Sequence, residues 1–272
     1  MNKKLIILMA GSFVLLVIIL AIAIKGCQMS IKLPSGQSGS IQGLIGDAKK
    51  LESKDDLFGA RGLYQKLTSE YPNSREMMAW QKKVEDLNIR LLFSSVIVPG
   101  SVEYEIKPGD SLEKIAKDNK TTVELIMKSN GLSDEKIFPG KKIKVWTVPF
   151  SILVDKSQNT LILKTNEDVV KTYIVSTGAN NSTPTGTFKI IEKIVNPPWY
   201  KPGGGIVPAG SPENILGTRW LGINKEGYGI HGTTDPKSLG KQVTAGCVRM
   251  SNTDVEELFG IVAKDTEVII VD

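Results

Sequence analysis

Histidine and cysteine are almost absent from this chain: one histidine, His231, and two cysteines, Cys27 and Cys247. One imidazole and one reactive thiol fall short of the three or four donors that a zinc site needs, so no metal is expected. Nothing in the sequence calls for another cofactor. Two cysteines so different in setting do not form a disulfide framework, and pairing a thiol that must react would silence it. A strong charge of one sign is missing from every folded segment. The formal charge of +5 divides into +4 over residues 1–46, +1 over 47–93, +1 over 103–147 and −1 over 148–272. The excess sits at the N-terminal flank, and no segment presents the one-face basic field that phosphate binding requires, which excludes nucleic acid as a partner.

Leu5 to Ile24, by contrast, is twenty residues without a charge. At the rise of a helix it spans about 30 Å, the thickness of a hydrocarbon core. Residues 1–26 therefore read as a transmembrane anchor. The apolar run is too long for a cleaved signal peptide, and Lys25 stands where a cleavage site belongs. Cys27 follows directly, either as an unpaired juxtamembrane thiol or as an acylation site. Residues 27–46 are expected to form a flexible linker, being rich in Gly and Ser from Ser35 to Gly46.

A thiol is a strong nucleophile only as thiolate, and a nearby imidazole is the usual means of producing one at neutral pH. His231 and Cys247 stand sixteen residues apart in the stretch Ile230–Met250, I-H-G-T-T-D-P-K-S-L-G-K-Q-V-T-A-G-C-V-R-M. Read without their surroundings they are a small buried hydrophobe and a satisfied imidazole. Their neighbours favour chemistry. Gly232 and Gly246 remove side chains where a substrate backbone would approach, and Arg249 sets a cation beside the thiol that favours its ionised form.

The segments His231-Gly232-Thr233 and Thr244-Ala245-Gly246-Cys247-Val248-Arg249-Met250, with Thr183-Pro184-Thr185-Gly186-Thr187-Phe188 upstream, resemble the signature of the L,D-transpeptidase catalytic domain, a family that remodels bacterial peptidoglycan. The likeness covers residues 148–272. It departs from many relatives at Ala245, where they carry a second histidine, and at Thr244, where they carry a serine. What the resemblance implies is a mostly-β sandwich or barrel. Cys247 would be the nucleophile attacking the bond between a diamino acid and D-alanine, and His231 the proton acceptor and donor. The Gly232 carbonyl would orient the imidazole, and backbone N–H groups around Gly246 and Cys247 would hold the oxyanion. Arg249, Thr244 and Thr233 are expected at the substrate, with Trp199 and Tyr200, from the irregular segment Pro197–Gly205, in the groove wall or pinning that loop to the sheet. The same acyl-enzyme chemistry leaves three acceptors open: a second stem, a wall protein or water. A non-catalytic wall-binding protein is the alternative from another class.

Residues 47–95 carry apolar side chains at helical spacing, interrupted at Tyr71-Pro72-Asn73-Ser74. They resemble a single tetratricopeptide unit, which cannot complete a core without a neighbour, so a spacer or a protein-docking element is expected. In residues 102–147 the pattern is strand, helix, helix, strand, with turns at Lys107-Pro108-Gly109-Asp110 and Phe138-Pro139-Gly140-Lys141. This resembles the lysin motif (LysM), which binds N-acetylglucosamine glycans. The resemblance places glycan contacts at Gly109, Asp110, Ser111 and Leu112 and at Ile137, Phe138, Pro139 and Gly140. Localisation in the bacterial cell envelope follows from these resemblances together with the anchor, the catalytic part lying outside the cytoplasm.

Overall fold

The computed structural model describes residues 40–166 and 168–272. The expected membrane helix and Cys27 lie outside the described residues. Among those described, no helix is long and apolar enough to cross a membrane.

Three helices come first: α1 (Ile41–Ser53), α2 (Leu57–Glu70) and α3 (Met77–Leu92). Ser40 caps α1 by accepting the Gly43 N–H at 3.1 Å, so the last six residues of the expected flexible linker are helix instead. Ile41, Leu44, Ile45 and Ala48 fall at helical spacing, and burying Leu44 and Ala48 outweighs the weak helix propensity of the glycines between them. The interruption at Tyr71–Ser74 is the turn between α2 and α3. Ser74 there accepts the Glu76 N–H rather than capping α3 itself.

The LysM segment follows as β1 (Ser101–Glu105), α4 (Leu112–Asp118), α5 (Val123–Asn130) and β2 (Lys142–Trp146), the two strands antiparallel from Ser101↔Trp146 to Glu105↔Lys142. Ser111 caps α4 and Thr122 caps α5, each accepting a backbone N–H. Gly131 closes α5 in the left-handed conformation, φ +62°, that lets the chain leave a helix end. Ile106, Leu112, Ile115, Ala116, Ile126, Ile143 and Val145 form a small core separate from that of the rest of the chain.

The remaining strands are β3 (Phe150–Asp155), β4 (Thr160–Thr165), β5 (Asp168–Ile174), β6 (Thr177–Gly178), β7 (Gly186–Val195), β8 (Trp199–Tyr200) and β9 (Ile206–Val207). After them come β10 (Arg219–Ile223), β11 (Gly229–His231), β12 (Gln242–Thr244), β13 (Val248–Arg249), the helix α6 (Asn252–Ile261) and β14 (Glu267–Val271). Eight make one sheet in the order β13-β11-β10-β7-β14-β3-β4-β5, antiparallel except for the pairs β11/β13 and β3/β14. Alternation decides which side chains go inward: Phe150, Ile152 and Val154 from β3, Leu161 and Leu163 from β4, and Val268 and Ile270 from β14 are all buried. Just past β5, Ser176 exchanges backbone hydrogen bonds with Arg249 of β13, each 2.8 Å. The sheet therefore curls until its two edge regions meet, one twisted sheet closing on itself rather than two stacked layers.

The sheet supplies the neighbour that the helical hairpin needs. Asn88 of α3 donates to the carbonyls of Val169 (3.4 Å) and Val170 (3.0 Å) on the edge strand β5, and Thr172 donates to Glu85 at 3.1 Å. Helical residues such as Leu67, Leu87 and Leu91 belong to the same continuous core as Leu161 and Leu163 of the sheet. The LysM segment joins through Lys144, whose ammonium caps the end of α3 at the Leu91 (2.6 Å) and Ser94 (2.9 Å) carbonyls. Its other attachments are the Thr122 hydroxyl, which donates to the Gly260 carbonyl of α6, and the stacking of Trp146 on Phe150 at 5.3 Å. Residues 39–272 thus form one compact unit.

Candidate active site

Three strands set the site. In their registers Trp220 of β10 stands opposite His231 of β11, and His231 opposite Arg249 of β13. Ile230 and Val248 pair on the inner face and are buried. Alternation then turns His231 and Arg249 to the other face, and Cys247, in the bend just before β13, sets its sulfur against the Gly227 carbonyl and the Gly229 N–H where the chain enters β11. Trp220 stacks on the imidazole, ring centroids 6.0 Å apart at 23°. His231 is 2% exposed, whereas Cys247 is only partly buried. The sequence's pair is thus carried by neighbouring segments: His231 in β11, and Cys247 in the bend that leads into β13, its sulfur bonded to the residues just before β11.

The imidazole Nδ1 lies 2.6 Å from the Gly232 carbonyl. That bond assigns the proton to Nδ1 and leaves Nε2 with the lone pair that can take a proton. Burial holds the imidazole down at about 4, the Gly232 carbonyl opposing this and the Arg249 charge adding to it. The sulfur donates to the Gly227 carbonyl at 3.5 Å and receives the Gly229 N–H. Burial raises the Cys247 thiol above its ordinary value; the Gly229 N–H and Arg249 both pull it down but do not overcome the burial. Arg249 therefore acts on the thiol in the expected direction while the net shift is the opposite one. The resting pair is a neutral thiol beside a neutral imidazole, not a preformed thiolate. The guanidinium is anchored by the Ser238 hydroxyl at 3.0 Å.

The turn that presents the cysteine is built from its own side chains. The Thr244 hydroxyl donates to the Cys247 carbonyl (2.6 Å) and accepts the Gly246 N–H (3.2 Å). That amide is taken up within the turn, while the Gly229 N–H faces the sulfur. Glycine is required at 246 by φ of +137° and by space, since a Cβ there would lie 2.7 Å from the Tyr228 ring. The T-P-T-G-T-F stretch backs this turn. Thr183 accepts the Gly178 N–H (2.7 Å), and a Cβ on Gly178 would come within 3.0 Å of the Gly246 Cα. Thr183 and Pro184 line a small apolar pocket with Tyr228, Gly229, Gly246 and Val248.

Thr244 and Thr233, expected at the substrate, are buried and bonded internally. The Thr233 hydroxyl accepts the Asp235 N–H at 2.9 Å, so both threonines shape loops. Trp199 and Tyr200 form a hairpin with Ile206–Val207, its base pinned by the buried Asn214 to the Pro197 and Pro208 carbonyls. Tyr200 is exposed, and among the described residues no hydrogen bond or ring contact ties either aromatic to His231 or Cys247. In the LysM loops Gly109 and Phe138–Gly140 are exposed. Leu112 is buried in the small core as the inward residue of the first turn of α4, which corrects its assignment as a glycan contact. Asp110 is likewise committed internally. It accepts the Lys107 N–H (2.9 Å) and the Tyr104 hydroxyl (2.7 Å), bonds that hold its carboxyl down at about 2.

Trp220, Tyr228 and Asn252 also belong to the site, and no sequence motif marks any of them: Trp220 stacks on the imidazole, Tyr228 packs against Gly246 and Asn252 bonds the Thr218 and Thr233 N–H groups. Ser251 is the cap of α6, accepting the Asp254 N–H at 3.0 Å. Among the described residues no group of three or more His, Cys, Asp or Glu side chains could hold a metal ion.

With this geometry in hand, comparison with known proteins is direct. Residues 149–270 match the L,D-transpeptidase catalytic domain known as YkuD, and residues 104–146 match the LysM domain. A Bacillus licheniformis protein named as the L,D-transpeptidase YkuD is 38% identical over 175 residues, covering 61% of this chain and 97% of that protein. Its Bacillus subtilis namesake is 37% identical over 174 residues, with the same coverage of 61% and 97%. The solved structure of an L,D-transpeptidase from Mycobacterium smegmatis aligns with 49% of this chain and 64% of that one, at a TM-score of 0.40 and 17% identity.

Proposed function

The chain belongs to the L,D-transpeptidase family, and from that premise we propose that Cys247 is the nucleophile and His231 the proton carrier in acyl transfer from peptidoglycan stem tetrapeptides. The observation that carries the assignment is the pairing of β11 with β13, which sets the bend that holds Cys247 beside the strand that holds His231, with the Gly232 carbonyl fixing the imidazole tautomer. As the sulfur attacks the carbonyl between the diamino acid and the terminal D-alanine, its proton passes to His231 Nε2. A tetrahedral oxyanion forms, held by the Gly229 N–H. On collapse the C–N bond breaks, the imidazolium returns its proton to the departing D-alanine amine, and a thioester remains. The side-chain amine of a second stem then loses a proton to Nε2 as it attacks, the C–S bond breaks, and the thiol is restored. The product is a cross-link between two diamino acids. Arg249 offers the partly exposed charge on the face that carries His231, suited to the thiolate as it develops or to a substrate carboxylate.

The LysM segment would hold N-acetylglucosamine glycan through its exposed loop residues Gly109, Ser111 and Phe138–Gly140, with Ile137 half-buried behind them. We place the enzyme in the cell envelope, held at the cytoplasmic membrane by the uncharged run Leu5–Ile24 with the catalytic unit outside. The support is the sequence of that run and the location of peptidoglycan.

The test is intact-mass analysis of the full chain with a disaccharide tetrapeptide. The wild type gains an acyl adduct with release of D-alanine, and Cys247→Ala gains none; undiminished D-alanine release by Cys247→Ala ends the assignment. Because burial raises the thiol, peptide-mapped iodoacetamide labelling at Cys247 should keep accelerating above pH 9, where an ordinary thiol levels off. Arg249→Ala should move that rise to still higher pH, since it removes a charge that lowers the thiol. Labelling already complete in rate at pH 7 would contradict the neutral resting pair.

A further inference from the structure

Asn252, the first residue of α6, makes no hydrogen bond to the sulfur or the imidazole among the described residues, yet its side chain sits at the far end of the peptide group that holds His231. The peptide between Gly232 and Thr233 offers its carbonyl to His231 Nδ1 (2.6 Å) and its N–H to Asn252 Oδ1 (3.1 Å). No peptide bond in the described chain is cis. In a trans peptide the carbonyl and the N–H point in opposite directions in one rigid plane. Turning that plane to loosen one bond necessarily turns the other.

The amide of Asn252 is itself wedged. Its Oδ1 also accepts the Thr218 N–H at 3.2 Å. Two glycines make room for it: a Cβ on Gly217 would fall 2.1 Å from Oδ1, and one on Gly232 would fall 2.2 Å from it. The helix below is fixed separately by Ser251, which bonds Asp254 through both its hydroxyl (2.7 Å) and the Asp254 N–H (3.0 Å). Capping α6 therefore does not require Asn252, and its oxygen is committed to the two loop amides. The glycine after the histidine serves two purposes: it supplies the carbonyl, and it leaves space for the amide that locks that carbonyl.

We propose that Asn252 is a positioning residue for acyl transfer, which acts through the Gly232–Thr233 peptide to keep the His231 proton on Nδ1 and Nε2 open to the thiol. The inference rests on His231 being the proton carrier. A merely structural staple between the two loops would stabilise the fold without touching the tautomer, and the two roles separate by spectroscopy.

Because His231 is the only histidine in the chain, ring-15N histidine labelling of the full-length protein reports one imidazole. The wild type should show a single neutral tautomer with a protected Nδ1–H. Asn252→Ala should mix the two tautomers and lower kcat for D-alanine release about tenfold or more with KM within about twofold. Asn252→Asp keeps an oxygen acceptor in place and should restore both the tautomer and most of kcat. An Asn252→Ala protein with wild-type tautomer and kcat, alongside an inactive His231→Ala, overturns the inference alone; an active His231→Ala overturns the proton-carrier reading beneath it. If Asn252→Ala does not fold, the wild type still decides. The Thr233 amide and the His231 Nδ1–H should exchange with solvent in step, and independent exchange refutes the coupling.

Discussion

The two segments that precede the catalytic sheet are attached to it in opposite ways. The LysM segment, some forty residues long, keeps a core of its own and meets its neighbours at a few defined joints, Lys144, Thr122, Leu125 and Trp146, of which only Leu125 and Trp146 reach into the shared core. The three helices have no separate core, their apolar stripe being continuous with the inside of the sheet. A module that folds around its own side chains can be joined to many partners by altering a few surface contacts. A hairpin whose stripe is completed by a particular strand cannot. The helices are thus part of the catalytic fold, covering the exposed ladder edge of β5 that would otherwise invite pairing with another chain.

The sharpest way to break this contrast is a matched pair of core truncations. Leu91→Ala, at the end of α3 in the shared core, should cost roughly 2–5 kcal/mol and lower the temperature at which transpeptidation itself is lost. Ile115→Ala, in the separate LysM core, should cost a similar amount locally. It should leave turnover of a small soluble stem peptide intact while abolishing glycan retention. Loss of peptide turnover in parallel with LysM melting would show that the two cores are one cooperative unit.

A smaller effect is expected at the joint. Lys144 is 3% exposed, and burial lowers its ammonium from 10.5 to about 8. Below pH 8 both the folded and unfolded chains carry the proton, and the cost of burying the charge is fully present. Between about 8 and 10.5 the unfolded chain holds a proton that the folded one has released, so this group makes stability rise with pH in that window. Urea unfolding at pH 7.5 and 9.5 should therefore show the wild type gaining on Lys144→Met, the half-buried Lys193, also lowered by burial, being common to both. No change in their difference would mean that the ammonium is solvated and the joint looser than its two carbonyl bonds imply.

What was legible in the sequence divides along the same physical line. Strands β3, β4, β5, β7, β10 and β14 are long enough for apolar alternation to register, and the lysin-motif turns carry their own Pro and Gly. Strands β6, β8, β9, β11, β12 and β13 are two or three residues each, defined by their partners rather than by their own pattern. Most of them surround the site. His231 and Cys247 were readable because their types are rare and their neighbours distinctive. Asn252 was not, since an asparagine at a helix start looks like a cap until the oxygen is seen bonded to two loops. The first turn of α1 was hidden because Gly and Ser composition masked Ile41, Leu44 and Ile45, whose burial depends on helices later in the chain.

The smallest effect tests the seam itself. Asn88 donates through one amide to two successive carbonyls of β5, at 3.4 and 3.0 Å, and accepts weakly from Arg61 at 3.4 Å. These bonds lie at the margin of the interface, so water can replace them and Asn88→Ala should cost only about 0.5–1.5 kcal/mol. Its more telling consequence is local. With the amide gone, the Val169 and Val170 carbonyls face solvent, and backbone amides of β5 should exchange faster while those of the central strands β14 and β3 keep their protection. If central and edge amides accelerate together, the helices are holding the whole sheet and not only its border. If neither changes, the apolar contacts of Leu87 and Leu91 alone secure the edge, and the asparagine serves only to fix the register of α3 along the strand.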